Sequence, residues 1–133
     1  PVYYVQYAHA RIASILAKVK NQPSSRAQVE GKSKVKISDQ NLKLLDMGAE
    51  FDLIRKLAAY PELLSDAAAG YEVHRLTRYA SELAREFHNF YEKERVISGN
   101  IDLTAARLAL VMAAKTVLGN VLNLMGIKAP DKM

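Results

Sequence analysis

The first residues of the chain carry aromatic and cationic side chains at helical spacing. Within residues 2–21, Tyr4, Tyr7, Arg11 and Lys18 share one side of a projected helix, next to an apolar face. Flat rings and guanidinium planes can stack on unpaired nucleobases, and Arg and Lys also reach phosphates. This stripe indicates RNA recognition. The alternative interpretation is a pair of core tyrosines with wetted hydroxyls beside solvated cations.

A second cluster of the same kind lies near the end of the predicted helix 72–95. His88, Tyr91 and Arg95 fall on a face that adjoins the apolar stripe of that helix. An aromatic ring and a guanidinium at a helix end would suit a nucleotide from an RNA loop. The alternative is again structural, with these side chains at the edge of the core and on the surface.

Residue sets for bond-making chemistry are missing from this sequence. The chain has no Cys, which excludes thiolate nucleophiles and Cys-ligated zinc. His9, His74 and His88 lie on two predicted helices without the spacing of metal ligands. The stretch EGKSK lacks the first glycine of a phosphate-binding loop, because position 26 is Arg26. We therefore predict a binding module with no catalytic residue, no metal and no cofactor of its own.

The positive charge is concentrated in the first quarter of the chain. The 133 residues carry a net charge of +5, and residues 1–37 hold seven Lys/Arg against one Glu. The remaining residues are close to neutral, with twelve Lys/Arg against thirteen Asp/Glu. A basic region beside a neutral body favours a polyanionic partner, although a solvated basic loop would look the same. Residues 22–37 are the predicted basic flexible loop, with nonspecific phosphate contact as its expected role.

Apolar periodicity predicts an all-α helical bundle in one domain, residues 1–133. The apolar stripe of the longest polar helix is formed by Leu76, Tyr79, Leu83, Phe87 and Phe90. No apolar run is long enough to cross a membrane. The predicted helices are 2–21, a short one after Ser38, 49–59, 62–69, 72–95 and 103–125.

Several residues are expected to start or stop these helices. Gly70 is expected to cap the helix before it, and Pro61 to end or kink the helix that reaches residue 59. Asp102 is expected to cap the last helix and Gly126 to end it.

Four segments resemble a known family in order and in spacing. They are YVQYAHARIASIL, LTRYASELAREFHNFYEKERV, LTAARLALVMAAKTVLGNVLNLMGI and the closing KAPDKM. Together they resemble the C-terminal anticodon-binding domain, of the DALR type, of arginyl-tRNA synthetase, a class I aminoacyl-tRNA synthetase. The resemblance covers nearly the whole chain and is weakest over residues 22–40. The literal Asp-Ala-Leu-Arg string is absent, and the nearest stretch, Ala105 to Leu108, is assigned no function.

The resemblance implies a helical bundle that binds the anticodon arm of tRNA(Arg). A catalytic domain absent from this chain would carry out arginylation with ATP and Mg in the cytoplasm. The start at Pro1 fits a segment of a longer protein. The chain would also pack against its own catalytic domain, with Val2, Tyr3 and Val5 as candidate junction residues.

The resemblance also implies which residues contact RNA. Gln6, Tyr7 and Arg11 match the first helix of the family, Tyr91 matches an aromatic position, and Met133 matches the terminal residue. The stripe and cluster described above add Tyr4, Lys18, His88 and Arg95 as weaker candidates. Some relatives carry a stacking Trp where this chain has Arg95, which leaves the role of Arg95 open.

Two other functions stay open at the level of sequence. One is a helical protein-interaction bundle without RNA specificity, in which the first or the last helix docks on a partner chain. The other is a free-standing enzyme, which would need a catalytic set that these residues do not provide.

Overall fold

Helices are the only regular elements in residues 2–21 and 39–133, which is the part of the chain that the computed structural model describes. This confirms the predicted all-α class. The predicted basic loop 22–37 and Ser38 lie outside the described residues. In chain order the helices are α1 (Val2–Asn21), α2 (Asp39–Leu42), α3 (Gly48–Ala58), α4 (Tyr60–Gly70), α5 (His74–Lys93) and α6 (Ile101–Leu124).

The core forms where α1, α5 and α6 pack together, with α3 and α4 against α5. All five residues of the predicted α5 stripe are buried, and Phe87 and Phe90 have no exposed surface. Complete burial of one such ring contributes about 1.5–3 kcal/mol to the free energy of unfolding. The last helix, α6, contacts α1, α2, α3 and α5, as its apolar sequence predicts. Its Met112 and Leu124 nevertheless stay more than half exposed.

The helix ends correct two predictions and confirm one. Asn100, and not Asp102, caps α6, because its Oδ1 accepts hydrogen bonds from the backbone N–H groups of Asp102 (3.0 Å) and Leu103 (3.3 Å). Gly70 is the last residue of α4, and the left-handed cap is Tyr71 with φ 53°. Gly126 has φ 71° and follows the end of α6, as predicted.

Glu82 links α3 to α5 on the outside of the core. Its carboxylate pairs with Lys56 of α3 and, at 3.0 Å, with Arg78 one turn earlier on α5. Arg78 and Glu82 are four residues apart, which is the spacing that lets opposite charges meet on one side of a helix. Hydrogen bonds from Lys56 and then Arg78 lower the pKa of Glu82 below its ordinary value.

A buried guanidinium joins three parts of the chain. Arg107 of α6 donates from Nε to Glu50 Oε1 of α3 at 2.6 Å and from Nη2 to Glu94 Oε2 at 2.9 Å. Its Nη1 donates to the backbone carbonyl of Arg95 at 2.7 Å. Glu50 has no exposed surface and Arg107 only 6%. Arg107 therefore fixes the end of α5 against α3 and α6.

The second oxygen of Glu50 is used as well. Its Oε2 accepts from the backbone N–H of Met47 at 3.0 Å, just before the first turn of α3. This is the carboxylate half of a capping box, which satisfies an N–H that the helix itself leaves unbonded. One carboxylate thus starts α3 and holds it to α6.

Replacing Arg107 by Met should destabilise the fold by about 3–5 kcal/mol, because two carboxylates would lose their buried partner. Urea unfolding followed by circular dichroism measures this change. Arg78→Met is the matched control, since its side chain is 83% exposed in its pair with Glu82. We expect that control to cost less than about 1 kcal/mol. Equal losses for the two variants would contradict a special role for Arg107.

Candidate nucleic-acid interface

A cleft of about 380 Å³ opens between α1, the end of α5 and the last residue of the chain. Five of the nine residues proposed from sequence line it, although they come from three separate segments. No sequence segment alone would bring them together. The lining residues are Tyr7, Ala10, Arg11, Ser14, Lys18, Tyr91 and Met133.

Arg11 is the central side chain of this cleft. Its Nη1 donates to the hydroxyl of Tyr7, one turn earlier on α1, at 3.1 Å. Its Cζ lies 4.8 Å from the ring centroid of Tyr91 on α5 and 5.9 Å from that of Tyr7. Both distances are within the range of cation–π attraction. Arg11 therefore joins an aromatic ring of α1 to one of α5.

His88 packs among aromatic rings next to the cleft and does not line it. Its ring centroid is 5.3 Å from that of Tyr4, 6.0 Å from that of Tyr7 and 5.4 Å from that of Phe87. Its Nε2 is buried and has no hydrogen-bond partner within the described ranges. In this arrangement His88 supports the two tyrosines through ring contacts, and its Nε2 is closed to an incoming RNA.

Burial lowers the pKa of His88 below its ordinary value of 6.5, and the positive charge of Arg11 lowers the pKa further. Glu92 acts in the opposite direction. The ring is therefore neutral near pH 7 and adds no charge beside Arg11. Because the unfolded chain takes up this proton near pH 6.5 and the folded chain only at lower pH, the stability from His88 falls as pH decreases below about 6.5.

Segment 125–133 returns to α1 after α6 ends. Gln6 Nε2 donates to the carbonyl of Lys128 at 2.9 Å, and His9 Nδ1 lies 2.9 Å from the carbonyl of Pro130. Lys115 of α6 pairs with Asp131 at 3.1 Å. These contacts bring Met133 to the cleft. Sequence reasoning missed His9 and Lys115, whose partners are distant in the chain.

The other residues proposed from sequence lie around the cleft in different ways. Gln6 reaches the terminal segment, and its amide nitrogen donates one hydrogen bond to the carbonyl of Lys128. Tyr4 is 41% exposed and contacts the ring of His88. The side chain of Arg95 is exposed but does not line the cleft, and its carbonyl is bound by Arg107. Ala10 and Ser14 line the cleft and were not proposed from sequence.

Within residues 2–21 and 39–133, no group of three or more His, Cys, Asp or Glu side chains is placed to hold a metal ion. In the same part of the chain, none of the helices combines the length and the apolarity that a membrane crossing requires.

Comparison with known proteins gives one consistent family. The family described as DALR anticodon binding domain matches residues 5–133. Arginine–tRNA ligases of Symbiobacterium thermophilum and Moorella thermoacetica are 45% and 44% identical over all 133 residues, and the chain spans 22% of the length of each. A solved structure described as an arginyl-tRNA synthetase from Campylobacter jejuni matches with a TM-score of 0.72 at 26% identity. That match covers 100% of this chain and 26% of the other.

Removing the charge of Arg11 should raise the pKa of His88 toward its ordinary value of 6.5, because Arg11 disfavours protonation of the ring. The shift should remain incomplete in Arg11→Met, since burial persists. NMR titration of the His88 ring protons measures it. Lys18→Met removes another cation of the cleft and is the control. The same change with both variants, or no change with Arg11→Met, would contradict the specific effect of Arg11.

Proposed function

The chain belongs to the DALR anticodon binding domain family, and on that premise we propose that it binds the anticodon arm of tRNA(Arg) through the cleft at Arg11. The whole protein is then an arginine–tRNA ligase. Its catalytic domain, which is not part of this chain, uses arginine, ATP and Mg for arginylation of the tRNA. This reaction takes place in the cytoplasm. In that enzyme, this chain binds and orients the RNA and forms no covalent bond with it.

The observation that carries this proposal is the placing of Arg11 between Tyr7 and Tyr91. The two rings come from different helices, and the guanidinium keeps them on the same cleft. Tyr7 remains 46% exposed, so its ring is available to a ligand. Aromatic rings stack on unpaired bases, and Arg and Lys neutralise phosphates. The cleft thus offers both kinds of contact that an anticodon loop needs.

The size of the cleft also supports single-nucleotide recognition. Its volume of about 380 Å³ lies near the lower end of small-molecule pockets, about 300–1,000 Å³. A space of that size is comparable to one unstacked nucleotide, which is the form in which an RNA loop presents its bases. Lys18, on the same side of α1, would face the backbone of the bound nucleotide.

The proposed junction with the catalytic domain contains fewer residues than the sequence suggested. Val2 and Tyr3 are 46% and 77% exposed and are available for contact with a neighbouring domain. Val5 is only 4% exposed and belongs to the core of this chain. Val2 and Tyr3 are therefore the proposed junction residues, and the burial of Val5 rules out that role for it.

Two labelled anticodon stem-loops test the function directly. We expect tighter binding of the 133-residue chain to the tRNA(Arg) loop than to a loop changed only at the central anticodon base, because a base in the cleft is read at its edges. Fluorescence anisotropy at near-physiological salt measures both affinities. Equal affinities would contradict base recognition by this chain and favour a bundle without RNA specificity.

Alanine substitutions test the two rings. Tyr7→Ala and Tyr91→Ala should each weaken stem-loop binding by about 1–3 kcal/mol, because each removes a stacking surface. Tyr3→Ala is the matched control, since Tyr3 lies on the same helix, is 77% exposed and does not line the cleft. Anisotropy gives the affinities, and circular dichroism gives helical content and melting temperature. A sharp drop in melting temperature with unchanged affinity would assign both rings to the core.

A further inference from the structure

The terminal segment is tied to the helices by side chains of α1 and α6. Gln6 and His9, three residues apart on α1, reach the carbonyls of Lys128 and Pro130. Lys115 of α6 pairs with Asp131, whose side chain is 68% exposed. An exposed ion pair contributes little to stability. Among these polar contacts, those from α1 therefore contribute more to the attachment than the ion pair does.

His9 is the buried member of this set, with 5% of its surface exposed. A carbonyl oxygen only accepts hydrogen bonds, so Nδ1 of His9 must carry the hydrogen that it shares with Pro130. On the other side of the ring, Nε2 faces Gly119 of α6, where an added Cβ would lie 3.5 Å away. The ring is thus held between α6 and the terminal segment in one orientation.

Residues 131–133 lie between two clefts. Met133 lines the cleft that contains Arg11, while Asp131 and Lys132 line a second cleft of about 350 Å³. Ser14 of α1 lines both. The terminal residues therefore form part of the wall of each cleft, and Met133 is their contribution to the cleft that contains Arg11.

We propose that His9 is a positioning residue of the RNA cleft, acting through its hydrogen bond to Pro130. That bond holds the terminal segment so that Met133 closes one side of the cleft, which limits the space to one nucleotide. His9 itself does not contact RNA. This inference rests on the proposed function, since it concerns how the same cleft selects a base.

Two substitutions of similar size separate the hydrogen bond from the bulk of the ring. Asn carries its N–H donor on the atom bonded to Cγ, as His does at Nδ1, whereas Gln carries it one bond further out, at the place of Nε2. His9→Asn should therefore keep the bond to Pro130, and His9→Gln should lose it. A third chain that ends at Ala129 lacks this part of the wall.

The experiment uses the full chain and measures two quantities. Heteronuclear ¹H–¹⁵N NOE values at Lys128, Asp131 and Met133 report the order of the terminal segment. Anisotropy with the two stem-loops reports affinity and base discrimination. His9→Gln should lower the NOE values and weaken binding of the tRNA(Arg) stem-loop by up to about tenfold, the most that one lost hydrogen bond can contribute. It should also reduce the ratio between the affinities for the two stem-loops. His9→Asn should match the unmodified chain in both measurements.

Several outcomes would overturn the inference. One is that the terminal segment of His9→Gln keeps the NOE values of the unmodified chain. Another is that its NOE values fall while the ratio between the affinities for the two stem-loops stays the same. A third is a further loss of affinity when His9→Gln is added to the chain ending at Ala129, since the residue would then act by another route. Failure of the proposed function looks different, because the unmodified chain itself would not discriminate. In that case, the NOE values still decide whether His9 holds the segment.

Discussion

One buried guanidinium determines how the rest of the bundle is arranged. Arg107 binds Glu50, Glu94 and the carbonyl of Arg95, and so joins α6 to the start of α3 and to the end of α5. A buried charge is stable only when it is fully paired, because its removal from water would otherwise cost several kcal/mol. Its partners therefore have little freedom to move. The end of α5, which carries Tyr91, is set by this pairing before any RNA contact is considered.

The cleft depends on that constraint indirectly, through the position of α5. Tyr91 can meet Arg11 only if α5 keeps its position against α1, and the core residues Ile12, Phe87 and Phe90 maintain that packing. Rigid helices thus place a small number of exposed groups, which is how a binding site gains selectivity from a stable scaffold.

The sequence predicted the elements better than the links between them. The α5 stripe specifies its own buried face through local periodicity. Tyr7, Arg11 and Lys18 were found because spacings of four and seven residues place them on one side of a helix. By contrast, the Glu50–Arg107 pair joins residues 57 positions apart, and His9 meets Pro130 across 121 positions. No local pattern encodes such partners. Asn100 and Asp102 have nearly equal capping preference, so only backbone geometry decides between them. Val5 has the apolar character of a junction residue, and its burial depends on how α5 and α6 pack.

The residues that line the cleft come from opposite ends of the chain, which has a consequence for folding. Helices close local contacts quickly, whereas the wall made by Met133 meets Tyr7 and Arg11 only after most of the described chain has been brought together. The complete cleft is thus present only in the globally folded form, and partially unfolded species lack it. By mass action, a bound tRNA would then stabilise the bundle as a whole and would slow its proteolysis throughout, including at positions far from the RNA.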